Sequence, residues 1–157
     1  VPTPTEVIEQ FYTAFAKQDA EGMVACYHPK VTFSDPVFVG LDAREACGMW
    51  RMLCERAQDF SLEFSNVKAE GDRGSAHWEA HYTFSTTGRH VHNVIDAEFR
   101  FADGKIIEHR DQFDFHRWSR QALGMPGLLL GWTSVIRNKV RGQARKGLEN
   151  YLQKHSG

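Results

Sequence analysis

The chain reads as an α+β domain in which helices cover one face of a curved sheet. Three observations predict this. Apolar residues recur at helical spacing through the first third of the chain. From Phe60 the period changes to two. Three turn signals then divide that stretch into a four-strand antiparallel meander. At 157 residues the chain is long enough for one core that needs neither disulfide nor metal.

Thr3-Pro4-Thr5-Glu6 is a capping box with Pro at the first helical position. Val7, Ile8, Phe11 and Phe15 follow at helical spacing and predict a helix near residues 4–17. Asp19 caps a second, short helix carrying Met23, Val24 and Tyr27, which His28-Pro29 ends. Val31 to Asp35 alternates as a strand, and Pro36 interrupts it. Asp42 caps a third helix with Ala46, Met49, Trp50 and Leu53 on one side.

Leu62 and Phe64 mark the first strand of the meander, and Gly71-Asp72-Arg73-Gly74 turns the chain. Ala76, Trp78, Ala80, Tyr82 and Phe84 share one face of the next strand, which ends at Thr87-Gly88. Val91, Asn93, Ile95, Ala97, Phe99 and Phe101 share a face of the third, and Asp103-Gly104 is a hairpin turn. Ile107, His109, Asp111, Phe113 and Phe115 share a face of the last. Beyond it, residues 116–123 predict a short helix ending at Gly124, and Met125-Pro126-Gly127 a turn. A longer helix near 134–154 sets Ile136, Val140, Leu148 and Leu152 against a basic side of Arg137, Lys139, Arg141, Arg145 and Lys146. That helix is expected to pack on its own domain or on a second subunit, with the charges solvated.

With 19 basic and 20 acidic residues the net charge is −1, which argues against a nucleic-acid partner. No run approaches the length of a membrane span, the longest apolar cluster being Leu128-Leu129-Leu130. The start, VPTPTEVIEQ, lacks the pattern of a signal peptide. Cys26, Cys47 and Cys54 are odd in number and lack metal-ligand spacing, so reduced thiols and a cytoplasmic location are expected. Eleven Phe, four Trp and four Tyr suit an interior with a cavity for an apolar ligand.

Polar groups intrude on the apolar strand faces. Asp35 shares a face with Val31 and Phe33, Asn93 lies between Val91 and Ile95, and His109 and Asp111 lie between Ile107 and Phe113. A carboxylate among such neighbours costs several kcal/mol unless paired, protonated or solvated by a cavity. The simplest account is one shared polar patch at the bottom of an apolar pocket. Taken singly, Asp35 before Pro36 also suits a turn, and Asp111 suits a group that holds His109 in one tautomer. The opposite faces carry His77, Glu79, His81, His90, His92, Asp96 and Glu98, a pattern that fits a subunit contact better than a metal site. A bulge between Asn93 and Phe99 would reverse the parity and turn His92 and Asp96 inward.

The sequence resembles the nuclear transport factor 2-like superfamily, as a SnoaL-like or ketosteroid isomerase-like member, over roughly residues 5–118. The resemblance rests on Phe11-Tyr12-Thr13-Ala14-Phe15 followed by Asp19, on Cys26-Tyr27-His28-Pro29, and on Phe33-Ser34-Asp35-Pro36-Val37. It continues through Phe99-Arg100-Phe101, Asp103-Gly104-Lys105-Ile106 and Glu108-His109-Arg110-Asp111. It implies a cone-shaped α+β barrel, a mixed and mainly antiparallel sheet wrapped around N-terminal helices. Residues 119–157 then form a helical extension, with Leu128–Leu130 and Trp132 available to close the cone mouth. Asp35-Pro36-Val37 is similar to the segment bearing the general base of ketosteroid isomerases, whose helical Tyr falls at Phe11. Asp111 resembles the acid/base of SnoaL-like cyclases and the water-activating Asp of limonene epoxide hydrolases, whose partner Arg falls at Val94.

The expected function is therefore small apolar-molecule binding in a conical pocket, with cofactor-free acid/base catalysis of the isomerase or cyclase type. Asp111, His109 and Asp35 are the expected catalytic residues. Asn93, Tyr12, Tyr27, Trp50, Trp78, Tyr82 and Phe113 are the expected ligand contacts. No metal or cofactor is expected. The partners expected are a small apolar or carbonyl-containing molecule and a second copy bound through the sheet. The alternatives are a non-catalytic ligand-binding or assembly domain, and an epoxide hydrolase-like hydrolase.

Overall fold

A computed structural model describes residues 2–124 and 134–155. The order is α1 (Pro4–Ala16), α2 (Ala20–Val24), β1 (Tyr27–Ser34), α3 (Ala43–Arg56), β2 (Gln58–Glu70), β3 (Arg73–Phe84), β4 (Arg89–Ala102), β5 (Lys105–Gln112), α4 (Phe115–Leu123) and α5 (Ser134–His155). The five strands form one sheet in the order β1-β5-β4-β3-β2. β2 to β5 pair antiparallel as a meander, and β1 joins β5 in parallel. Among the described residues no helix is long and apolar enough to cross a membrane. The turn at Met125-Pro126-Gly127 and the mouth-closing Leu128–Leu130 and Trp132 lie outside the described residues.

The caps act where the sequence places them. Thr3 and Asp42 each form a full capping box, with Glu6 and Glu45, and Asp19 caps α2. The second helix differs from expectation: it ends at Val24, and Tyr27-His28-Pro29 opens β1. Pro29 is tolerated because β1 is an edge strand whose register with β5 shifts between Tyr27 and Thr32. The consequence is that Tyr27 points into the core from a strand, at 5% exposure.

In α3, Ala46, Met49 and Trp50 are buried as expected, whereas Leu53 is 37% exposed and Met52 and Cys54 are buried instead. The helix has two covered faces. One lies on the domain core, and α5 covers the other, with the Leu152 side chain seated on Gly48. Leu148, Tyr151 and Leu152 join the main core, while Ile136 and Val140 pack on a smaller cluster of Val91, Phe115, Trp118 and Ala122. α5 thus docks on its own domain, and Arg145 pairs with Glu45 of α3.

The β3–β4 ladder is continuous from Arg73↔Arg100 to Phe84↔Arg89. No bulge interrupts it, so Asn93 keeps the inner parity and the Asp96 side chain stays 80% exposed. The three cysteines are free thiols.

Candidate functional site

A hydrogen-bonded chain crosses the core. Trp50 Nε1 donates to the Tyr27 hydroxyl at 2.8 Å. That hydroxyl lies 2.8 Å from His109 Nδ1, and His109 Nε2 lies 2.9 Å from Asp111 Oδ1. The proton order follows from donor arithmetic. Indole N–H only donates, so the Tyr27 oxygen accepts from Trp50 and its own proton goes to Nδ1. Nε2–H then donates to the Asp111 carboxylate, which satisfies every member with a neutral imidazole. Trp78 Nε1 approaches the same Oδ1 at 3.5 Å, the outer limit of a hydrogen bond.

The fold imposes this geometry through parity. His109 and Asp111 are two residues apart on β5, so both face inward, at 1% and 3% exposure. Phe99 pairs with His109 across the ladder, and Phe33, Phe11 and Trp50 surround its ring at centroid distances of 4.9, 5.4 and 6.1 Å. The imidazole is enclosed by these rings and bonded at both nitrogens, to Tyr27 and to Asp111.

Asp35 follows the end of β1. Its Oδ1 accepts from the backbone N–H groups of Val37 at 2.7 Å and Phe38 at 2.6 Å, a turn that reverses the chain at Pro36. Burial nevertheless pushes its carboxyl up to about 7, and the nearby Asp111 adds to this. The two backbone bonds and Arg141 pull the other way. Asp35 and Asp111 both line one cleft of about 400 Å³, together with Pro36, Phe113, Phe115, Arg110, Arg137 and Arg141. A second hollow of about 250 Å³, at the β2–β3 and β4–β5 turns, lies away from both carboxyls.

The fold brings some of the sequence-predicted residues together and separates others. Asp35, Asp111 and Phe113 meet at the cleft. Tyr12, Tyr27, Trp50 and Trp78 are core residues packed ring against ring, so the cone interior around them is filled. Tyr12 stands out among them: its hydroxyl is buried and has no hydrogen-bond partner. Burial, with Asp111 nearby, holds its phenol well above the usual range. Tyr82 accepts from Trp118 Nε1 at 2.8 Å and has its phenol raised to about 12, chiefly by burial. Asn93 is half-buried on the inner face opposite Ala80, and it is not among the residues that line the cleft. The single shared patch is thus two carboxyls and an imidazole, without the amide.

Arg137 and Arg141 went unrecognised in the sequence, where they read as part of a solvated basic side. Their i, i+4 spacing sets them on one face of α5, but only the docking of that helix shows which face meets the cleft.

On the outer face, Glu79 bridges His77 Nε2 at 3.0 Å and His92 Nε2 at 2.8 Å, and His81 stacks on His92. These side chains pair laterally. Among the described residues no group of three or more His, Cys, Asp or Glu is arranged to hold a metal ion.

Residues 8–109 match the SnoaL-like domain. The chain belongs to the SnoaL-like family. No curated protein matches it. Solved structures show the same fold. One is an LEH-like epoxide hydrolase from M. tuberculosis, 19% identical, covering 85% of this chain and 94% of its own at a TM-score of 0.63. Another is IdmH, a putative polyketide cyclase from Streptomyces antibioticus, 22% identical, covering 79% and 100% at 0.65. An NTF2-like protein of unknown function from Burkholderia pseudomallei K96243 is 19% identical, covering 76% and 98% at 0.65. The SnoaL-like match ends before Asp111, so the acid itself and all of α5 lie beyond it.

Proposed function

We propose that this SnoaL-like protein is a cofactor-free acid/base catalyst acting on a small carbonyl compound, in a reaction of the isomerase or cyclase type. One observation carries the reading: two carboxyls, Asp111 and Asp35, face one cleft, and burial raises one of them to about 7. Such a pair supplies a base and an acid at neutral pH. Asp111 is the base. His109 Nε2–H holds its Oδ1, which leaves Oδ2 to take a proton from the carbon beside the carbonyl. Asp35, retaining its proton over part of the population near pH 7, donates to the oxygen on which the enolate charge develops. Phe113 and Phe115 give the cleft an apolar wall for the carbon skeleton. The likeness to a polyketide cyclase agrees with this chemistry.

The test is deuterium incorporation from solvent into 2-tetralone, a simple aromatic ketone, followed by proton NMR. Wild-type protein is expected to accelerate exchange, and Asp111→Asn to lose about a hundredfold or more of that acceleration with its melting temperature retained. Equal exchange by the two proteins would sink the assignment. The filled aromatic interior favours a second reading, a non-catalytic assembly domain, in which neither protein accelerates exchange.

A further inference from the structure

We infer that the C-terminal helix turns the cleft into a site for an acidic ligand, through Arg137 and Arg141. This rests on the cleft being the binding site, as proposed above, and specifies what enters it: a small molecule bearing a carboxylate, or an equally acidic enol, beside its apolar part.

Arg141 is held in place: its Nε donates to the Pro36 carbonyl at 2.8 Å, which sets the guanidinium against the Asp35 turn. Arg137, one helical turn earlier, lies over the Phe115 ring at 5.5 Å. Its Nε is buried and has no hydrogen-bond partner. A buried donor without an acceptor costs stability, and a guanidinium raises that cost. Both side chains line the cleft that holds Asp35 and Asp111. A ligand carboxylate supplies the missing acceptor, in the planar fork geometry that guanidinium matches.

Charge placement favours one orientation. The ligand's anionic end is repelled by Asp35 and Asp111 and attracted to the paired guanidiniums of α5, with Arg110 of β5 as the third cation of the cleft. Its uncharged carbonyl part is then the end that reaches Asp111. Because α5 lies beyond the matched SnoaL-like segment, this selectivity belongs to the extension of this chain.

The test compares 2-naphthoate with 2-naphthamide by isothermal titration calorimetry at pH 8. Wild-type protein is expected to bind the carboxylate about tenfold or more tightly than the amide, the loss typical of one charge-assisted bond. Arg137→Gln, and separately Arg141→Gln, are expected to remove that preference. Leu148, Tyr151 and Leu152, away from both substitutions, keep α5 docked on the core in either variant. The wild-type comparison also needs no variant. Equal binding of the two probes, or a preference that survives both substitutions, overturns the inference while the cleft remains a binding site. Binding of neither probe overturns the inference together with the cleft as a ligand site. A carboxylate preference alongside undiminished exchange by Asp111→Asn upholds the anion site and refutes the acid/base assignment.

Discussion

Asp35→Asn separates the two things that Asp35 does. The amide keeps an oxygen to accept from Val37 and Phe38, so the turn survives, and the ionisable group is removed. In the wild type, folding raises this carboxyl from 3.8 to about 7, mainly by burial. The folded protein therefore holds a proton that the unfolded chain releases. Stability from this group is full below 3.8, falls as pH rises, and is lost above about 7. At about 1.4 kcal/mol per pH unit the whole span is worth about 4 kcal/mol. By pH 5 the unfolded chain has already ionised, so about 2–3 kcal/mol remains to be lost between pH 5 and pH 8. Contact with the open cleft sets the lower end of that range. Urea unfolding at both pH values, followed by far-UV circular dichroism, measures it. The stability of Asp35→Asn relative to wild type is expected to rise by that amount from pH 5 to pH 8. A difference independent of pH would show that Asp35 is solvated like any surface carboxylate, and the argument for a proton donor in the cleft would fall with it.

Three further outcomes follow from the packing. Tyr27→Phe strands Trp50 Nε1 and His109 Nδ1 in the core and is expected to cost about 2 kcal/mol or more in denaturant unfolding. Tyr12→Phe removes a hydroxyl that has no partner, so the melting temperature should hold or rise by the equivalent of about 1 kcal/mol. A clear drop would mean that a buried water or ligand group satisfies it. Leu148→Ala opens a cavity between α5 and the core, with an expected cost of about 2–5 kcal/mol and faster amide exchange in α5. Unchanged exchange there would count against the docked helix.

Asp111 at 3% exposure is a carboxylate that the core tolerates only because His109 and Trp78 meet its oxygen. The same requirement makes the site legible from one chain. An acid and a histidine two residues apart, among Ile and Phe on one strand, have no bland solvent-facing alternative. The histidine-rich outer face reads in the sequence as a subunit contact, and in the fold His77 and His92 pair along the surface with Glu79 and Asp96. Period-two alternation tells inside from outside, and it does not tell a filled interior from an empty one. Trp78 is therefore readable as buried, whereas the rings packed against it, Tyr12 and Phe15 of α1, are set by the tertiary fold.

Local chemistry settled what local chemistry can: capped helix starts, the three turns, and the inward parity that sends His109 and Asp111 together into the domain. Those features depend on contacts within a few residues, or on a repeat that a strand keeps wherever its register is unbroken. Distance along the chain defeats such rules. Asp35, Asp111 and Arg137 come from a turn, a strand and a terminal helix, and no periodicity links them. Their meeting depends on Leu148 and Leu152 seating α5 over Gly48, an apolar fit between segments about a hundred residues apart. Only the folded packing decided it.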